Sequence, residues 1–274
     1  MIGETRIVED AVLTAEQKAH WNAFGFLILR QLFAPDEVKE FRQASIDVMN
    51  ANGGENAFTA PPTWSTGAFV ERHPVLTDWL ADDRIYGIPE TLLGPDFLLE
   101  TNGGFIFWGD TRWHGGFSPE ESIESYYDVA KVAMYFDTLT KDDGCLRVIP
   151  GTHRRPFGEQ IRPQQNHEDR NAEPFGVSQE DVPCIALESE PGDVIVFTER
   201  VFHSAFGSKM GRMQFSSEYA ANPTTNKQIE ALLNQHDKST FSDHPVQSFI
   251  DNPNPRIRRM VSRLVELGCV PIEV

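Results

Sequence analysis

From Phe97 to Tyr219 the chain reads as a succession of short β-forming runs cut apart by turn signals, and this pattern limits the fold more than any other feature. The runs are Phe97–Thr101, Gly104–Trp108, Val129–Phe136, Cys145–Ile149, Cys184–Leu187, Asp193–Phe197 and Arg212–Tyr219. Turns are marked at Asp142-Asp-Gly144, Pro150-Gly151 and Pro191-Gly192, where Gly supplies backbone freedom and Pro removes a ladder donor. Many short strands spaced in this way predict a sandwich or barrel.

Helices are expected on either side of this β region. Thr14-Ala-Glu-Gln17 has the form of a capping box and opens a helix to about Asn22. Gly25–Arg30 reads as a buried strand. Ala34-Pro-Asp-Glu37 starts a second helix with Pro35 near its first position and Val38, Phe41, Ser45 and Val48 at helical spacing. Asn52 to His73 reads as a long loop, of the kind that serves as a lid or binding loop. His73–Leu93 reads as helical with a break at Pro89, and helices return at about 226–235 and 256–267. With no repeat or linker in view, residues 1–274 are expected to form a single domain.

The charge balance is 24 basic against 41 acidic residues, a formal −17. Such a surface repels polyanions, so nucleic-acid polymers and anionic membranes are poor partners. No stretch approaches the roughly 20 apolar residues of a membrane span. The first ten residues lack the apolar region of a signal peptide, and the three widely spaced cysteines, Cys145, Cys184 and Cys269, suit a reducing compartment. A cytoplasmic protein with a small-molecule substrate is expected.

Eight histidines are present, and any one alone is more often a surface or core residue than a ligand. Three segments change that weighting together. Phe107-Trp-Gly-Asp-Thr-Arg-Trp-His-Gly-Gly116 places a histidine at a strand end. Leu139-Thr-Lys-Asp-Asp-Gly-Cys-Leu-Arg-Val-Ile-Pro-Gly-Thr-His153 follows. Pro191-Gly-Asp-Val-Ile-Val-Phe-Thr-Glu-Arg-Val-Phe-His203 then leads into Ser-Ala-Phe-Gly207 and Arg212. In this order, over roughly residues 15–220, they resemble the phytanoyl-CoA dioxygenase-like family of Fe(II)/2-oxoglutarate oxygenases. The resemblance implies a mainly β fold, a double-stranded β-helix of the jelly-roll, cupin-like type with flanking α-helices. It implies His114 and His203 as iron ligands, O2 and 2-oxoglutarate as cosubstrates, and Arg212 on the far carboxylate of 2-oxoglutarate, where a planar fork suits a bidentate pair. Thr138 or Asn102 is a further candidate contact to 2-oxoglutarate. In the same comparison His153 belongs to a structural turn, and Trp113 reads as packing.

One position departs from the family. Its motif runs His-x-Asp, and residues i and i+2 of a strand point the same way, so position 116 should carry the metal carboxylate. Gly116 stands there instead. In relatives with this change chloride or bromide fills the vacancy, and the product is a carbon–halogen bond. The resemblance therefore implies a halogenase acting on an unactivated aliphatic C–H bond, with Gly115 and Gly116 offering backbone N–H groups to an anion. Two alternatives stand beside it: a hydroxylase in which Glu120, Glu121 or Asp128 replaces the missing carboxylate, and a non-catalytic binding protein of the same fold.

The sequence type most nearly resembles the nucleotide halogenases of purine-antibiotic biosynthesis, which implies the 2′ carbon of 2′-deoxyadenosine monophosphate as a target. Candidate phosphate contacts are Arg154, Arg155, Arg162, Lys209, Arg258 and Arg259, and candidate stacking partners are Phe58, Trp64, Phe69, Phe117, Tyr126 and Tyr127. Loops 55–72, 115–127 and 154–170 are expected to surround the substrate.

Overall fold

The computed structural model describes residues 12–115, 122–164, 173–207, 211–238 and 244–274. Ten strands form two sheets: β1 (Phe26–Leu29), β2 (Trp64–Gly67), β3 (Leu98–Phe107), β4 (Thr111–His114), β5 (Val129–Tyr135), β6 (Leu146–Ile149), β7 (Ile185–Leu187), β8 (Val194–Phe197), β9 (Phe202–Ala205) and β10 (Arg212–Ala220). The larger sheet runs β1-β8-β5-β10-β3-β2 and the smaller β4-β9-β6-β7. Every pairing between these strands is antiparallel. The arrangement is the jelly-roll that the family resemblance implies, within the sandwich-or-barrel class read from the strand pattern.

Alternation along the strands builds two layers of core. On the outer face of the large sheet, Val132 and Met134 of β5, Val194 and Val196 of β8, and Met213, Phe215 and Tyr219 of β10 are buried under helices. These are α1 (Ala15–Phe24), α2 (Pro35–Ala51), α3 (Pro74–Ala81), α4 (Asp83–Leu93), α5 (Phe157–Ile161), α6 (Asn226–Lys238), α7 (Gln247–Ile250) and α8 (Pro255–Leu267). Of them, α2, α3, α4, α7 and α8 supply Val38, Phe41, Trp79, Ile85, Phe249, Ile257 and Met260 to that layer. Between the sheets, Phe26, Ala133, Tyr135, Ile195 and Phe197 meet Leu146, Val148 and Leu187. Residues one step along each strand thus face opposite layers, and the inter-sheet space is where inward polar groups collect.

The capping box at Thr14 forms as predicted, with Gln17 N–H on the Thr14 hydroxyl and the Gln17 side chain on the Thr14 N–H. Three expectations are corrected. The break in the 73–93 helix falls at Asp82, not Pro89: Asp82 leaves the helical region and its carboxylate accepts the Arg84 N–H at 2.9 Å, starting α4 afresh. The 52–73 loop contains an edge strand, β2, paired with β3 from Trp64 opposite Ile106 to Gly67 opposite Gly103. The two runs at 97–108 are one strand, because Gly104 lacks the Cβ that would fall 2.3 Å from the Phe69 ring packed beneath it. Among the described residues no helix is long and apolar enough to cross a membrane.

Candidate metal centre

β4 and β9 were not in the predicted set of strands, and they carry the two histidines. His114 and His203 stand directly opposite each other across the antiparallel pair. Their outward neighbours, Trp113 and Phe202, stack with ring centroids 5.4 Å apart and planes 10° apart, and the Trp113 indole N–H donates to the Gln179 carbonyl at 2.8 Å. With those two side chains fixed outward, the next residue on each strand points into the sandwich. The imidazoles come together with centroids 4.0 Å apart.

Each ring is oriented the same way. His114 Nδ1 lies 2.7 Å from the Arg112 carbonyl and His203 Nδ1 lies 2.7 Å from the Val201 carbonyl. A carbonyl can only accept, so Nδ1 carries a proton in both rings and Nε2 is the nitrogen left to face a metal. This is the arrangement that prepares histidine for a metal.

A carboxylate joins them from an unexpected quarter. Glu199, in the turn between β8 and β9, brings Oε2 to 3.7 Å from His203 Nε2, and one ligand atom from each of His114, Glu199 and His203 lies within 4.8 Å of the others. Gly115 makes the approach possible. Its φ of +111° is left-handed, and a Cβ there would sit 2.4 Å from the Val201 carbonyl oxygen and 2.9 Å from that of Glu199. Burial alone would raise the Glu199 carboxyl, but the Lys131 ammonium and the imidazoles of His203 and His114 outweigh it and hold the carboxyl well below its ordinary range. Lys131, on β5, is ion-paired to Glu199 and lies 3.9 Å from Glu218. Two imidazole nitrogens and one carboxylate oxygen are the donor set that suits Fe(II) while leaving positions open.

Gly116, Glu120 and Glu121 lie outside the described residues. Asp128 is exposed and accepts from the Tyr126 hydroxyl at 2.6 Å, and it is no part of the cluster. Sequence reasoning missed Glu199. Its signal was a carboxylate four residues before the distal histidine, together with a lysine in the otherwise apolar β5.

Arg212 opens β10 on the inward face. It is 6% exposed, with its guanidinium carbon 5.2 Å from the Phe107 ring and 5.7 Å from the Tyr135 ring. Among the described residues its Nε and Nη1 are buried without a hydrogen-bond partner, as is Oε1 of Gln214, the next inward residue. Burial lowers the Arg212 pKa, with partial compensation from Tyr135, Cys145, Asp137 and Asp110. Tyr135 stands between the two ends of the site. Burial raises its hydroxyl pKa, while the charges of Arg212 and Lys131 pull it back. A buried guanidinium with no acid partner among the described residues is what an organic carboxylate would complete.

The other predicted contacts are not brought here. Thr138 is exposed in a separate cleft with Arg30, Gln31, Glu188 and Asp193. Asn102 points to the helical face of β3: its Oδ1 accepts the Phe69 and Val70 N–H groups at 2.7 and 3.0 Å, and its Nδ2 donates to Glu71 at 2.8 Å. That side chain is consumed by structure, tying the turn after β2 to β3.

A cleft of about 900 Å³ lined by Trp108, Asp110, Arg112, Glu180 and Phe206 adjoins one of about 360 Å³ that reaches Phe107 and His114. Several substrate candidates lie elsewhere. Phe69 is fully buried. Arg259 is held by the Tyr86 hydroxyl and the Phe97 carbonyl, and Arg258 by the Asn252 carbonyl. Arg154 donates to the Asn22 carbonyl, and Arg155 pairs with Glu159. By contrast, Tyr126 and Tyr127 lie beneath the guanidinium of Arg200, the residue that follows Glu199. Phe117 and Lys209 are outside the described residues.

Residues 102–213 match the model of the phytanoyl-CoA dioxygenase (PhyH) family, and this segment contains His114, Glu199, His203 and Arg212. The match covers less than half of the chain. The chain is 24% identical over 222 residues to ectoine dioxygenase of Sphingopyxis alaskensis, covering 73% of this chain and 72% of that one. Among solved structures, HygX from Streptomyces hygroscopicus with nickel and 2-oxoglutarate bound superposes with a TM-score of 0.61 at 17% identity, covering 78% of this chain and 89% of HygX. EctD from S. alaskensis in its apoform gives 0.59 at 19% identity, covering 82% and 83%. The likeness to these two structures shows the fold.

Proposed function

We propose that the chain is an Fe(II)/2-oxoglutarate-dependent oxygenase that acts on a C–H bond of a small molecule. The observation that carries this reading is the pairing of the His114–Glu199–His203 cluster with Arg212, a buried guanidinium whose Nε and Nη1 have no partner, on the inner faces of the two sheets. Iron and 2-oxoglutarate, when bound, supply the activation of O2 that no side chain can provide. The protein's part is positional. His114 and His203 present Nε2, Glu199 presents Oε2, and Arg212 fixes the remote carboxylate of the cosubstrate. The cleft at Phe107, Trp108 and Arg112 gives the substrate a route to His114. The solved relatives bind molecules of this kind: HygX holds 2-oxoglutarate and hygromycin B in one structure, and EctD holds 2-oxoglutarate and 5-hydroxyectoine in another.

Glu199 favours an ordinary oxygenase outcome, hydroxylation included, since a third protein ligand occupies the place a halide would need. The second reading is halogenation, favoured by Gly116 in the position of the family's aspartate. On that reading chloride or bromide takes the vacated position, and a nucleotide such as 2′-deoxyadenosine monophosphate is a substrate to try. One assay separates them: Fe(II), 2-oxoglutarate, O2 and a panel of deoxynucleotides and small amines, with and without chloride, read by mass spectrometry and succinate formation. An oxygenated product indifferent to chloride, lost in Glu199→Gln, supports the first reading. A chlorinated product, lost in Gly116→Asp, replaces it with the second. Absence of succinate under all conditions, with iron bound, sinks both and leaves a binding protein.

A further inference from the structure

Among the described residues, Lys131 touches the metal cluster from the inter-sheet space. Lys131 projects from β5 opposite Phe197 on one side and Glu218 on the other. Its side chain is 23% exposed, and that of Glu199 is 28% exposed. The two oxygens of Glu199 are divided: Oε1 accepts from the Lys131 ammonium, and Oε2 is the oxygen 3.7 Å from His203 Nε2. We propose that Lys131 is a positioning residue that pins Glu199 Oε1 so that Oε2 faces the metal. This rests on the reading of Glu199 as the third ligand.

The need for such a residue follows from where Glu199 sits. An aspartate at position 116 would lie two residues from His114 on the same chain, with a short side chain. Glu199 instead reaches from a turn through one more rotatable bond, and an unrestrained carboxylate there would spend much of its time off the metal. The choice of lysine also follows. An ammonium is a point donor and engages one oxygen, whereas an arginine fork engages both and would leave none for iron. Glu218, at 3.9 Å, supplies Lys131 with a second negative neighbour and keeps it in the inter-sheet space.

The test uses Co(II) as the probe, titrated anaerobically into the whole protein and followed by its d–d absorption. Outer-shell partners of metal ligands are worth about 10–100-fold in affinity, so Lys131→Met is expected to lose about that much. Its apo form is expected to melt lower, because Glu199 and Glu218 lose their shared cation, so affinities are compared at a temperature where both apo proteins remain folded. Lys131→Arg keeps the charge but takes both oxygens, and it is expected to bind Co(II) no better than the methionine variant. Wild-type affinity, or tighter binding, in Lys131→Met overturns the proposal, as does wild-type affinity in Lys131→Arg. Should methionine leave the apo protein unfolded, Lys131→Gln carries the same comparison. Glu199→Gln is the separate control. If it binds Co(II) like wild type with an unchanged spectrum, the reading of Glu199 as a ligand fails by itself.

Discussion

Arg212 lies 5.7 Å from the Tyr135 ring on the inward face of the large sheet, with two of its nitrogens buried and unpartnered. Cation–π contact softens the cost of burying the charge but supplies no acceptor. A cosubstrate carboxylate would supply one, with hydrogen bonds to a charged donor worth about 1.5–3 kcal/mol. Arg212→Met is therefore expected to weaken 2-oxoglutarate binding about 10–100-fold in calorimetric titration of the Mn(II)-loaded protein. The apo protein should melt no lower, because an unpaired buried charge has been removed. Arg212→Lys should recover little, since an ammonium cannot match the fork. A lowered apo melting temperature with unchanged 2-oxoglutarate affinity would assign Arg212 to structure instead.

Asn102 makes the opposite case. Its Oδ1 satisfies the N–H groups of Phe69 and Val70, both buried, and its Nδ2 reaches Glu71. Asn102→Ala leaves those donors unpaired at about 1–3 kcal/mol each. Urea unfolding should show a loss of about 2–4 kcal/mol, somewhat less than the full sum because the segment relaxes. Binding of 2-oxoglutarate should be unchanged. A stable variant with weakened 2-oxoglutarate binding would restore Asn102 to the site.

Legibility in the sequence follows what is local. The alternation in Val129–Tyr135 and Arg212–Ala220 is a property of adjacent residues, so the large sheet could be read directly. His114, His203 and Arg212 could be read from local motifs. β4 and β9 could not, being four residues each and bordered by glycine-rich or charged segments. The break at Asp82 was hidden because a capping aspartate and a helical proline look alike to a rule that treats proline as the stronger breaker. Glu199 was hidden for a different reason. Its nearness to His114 spans 85 residues of chain and depends on Gly115 admitting the Glu199–Val201 carbonyls. Such a contact belongs to the tertiary fold, whereas an i, i+2 pair belongs to one strand.

Glu71 adds a pH dependence. Burial pushes its carboxyl up to about 7 from 4.5, against the pull of its own backbone N–H, Asn102 and Arg72, and Oε2 has no partner. The unfolded chain releases this proton near 4.5, whereas the folded protein holds it until about 7. Its contribution to stability is therefore complete below the lower value and lost as pH rises to the upper one. Glu71→Gln removes that loss and should flatten the urea midpoint across this window. An unchanged slope in the variant would show that Glu71 is already ionised in the folded protein at low pH.

His153 tilts the curve the other way. Its ring is packed against Gly25, where a Cβ would lie 2.5 Å from Nδ1, and Nδ1 is buried without a partner. Burial first, then the charge of Arg154, pushes the imidazole down to about 4 from 6.5, with weaker opposition from the Asn22 backbone and Asp128. As pH falls the unfolded chain takes up the proton near 6.5, while the folded protein refuses it until about 4. Stability from this residue is thus present above the upper value and lost between the two. His153→Gln should reduce the acid-side loss, whereas Glu71→Gln acts on the rising-pH side of an overlapping window. Measured from about pH 4 to about pH 8, the two single variants should change the slope of stability with opposite sign, and the double variant should show their sum because the residues share no partner. Co(II) binding should be unchanged in His153→Gln. Loss of metal in that variant would move His153 from the structural turn into the centre.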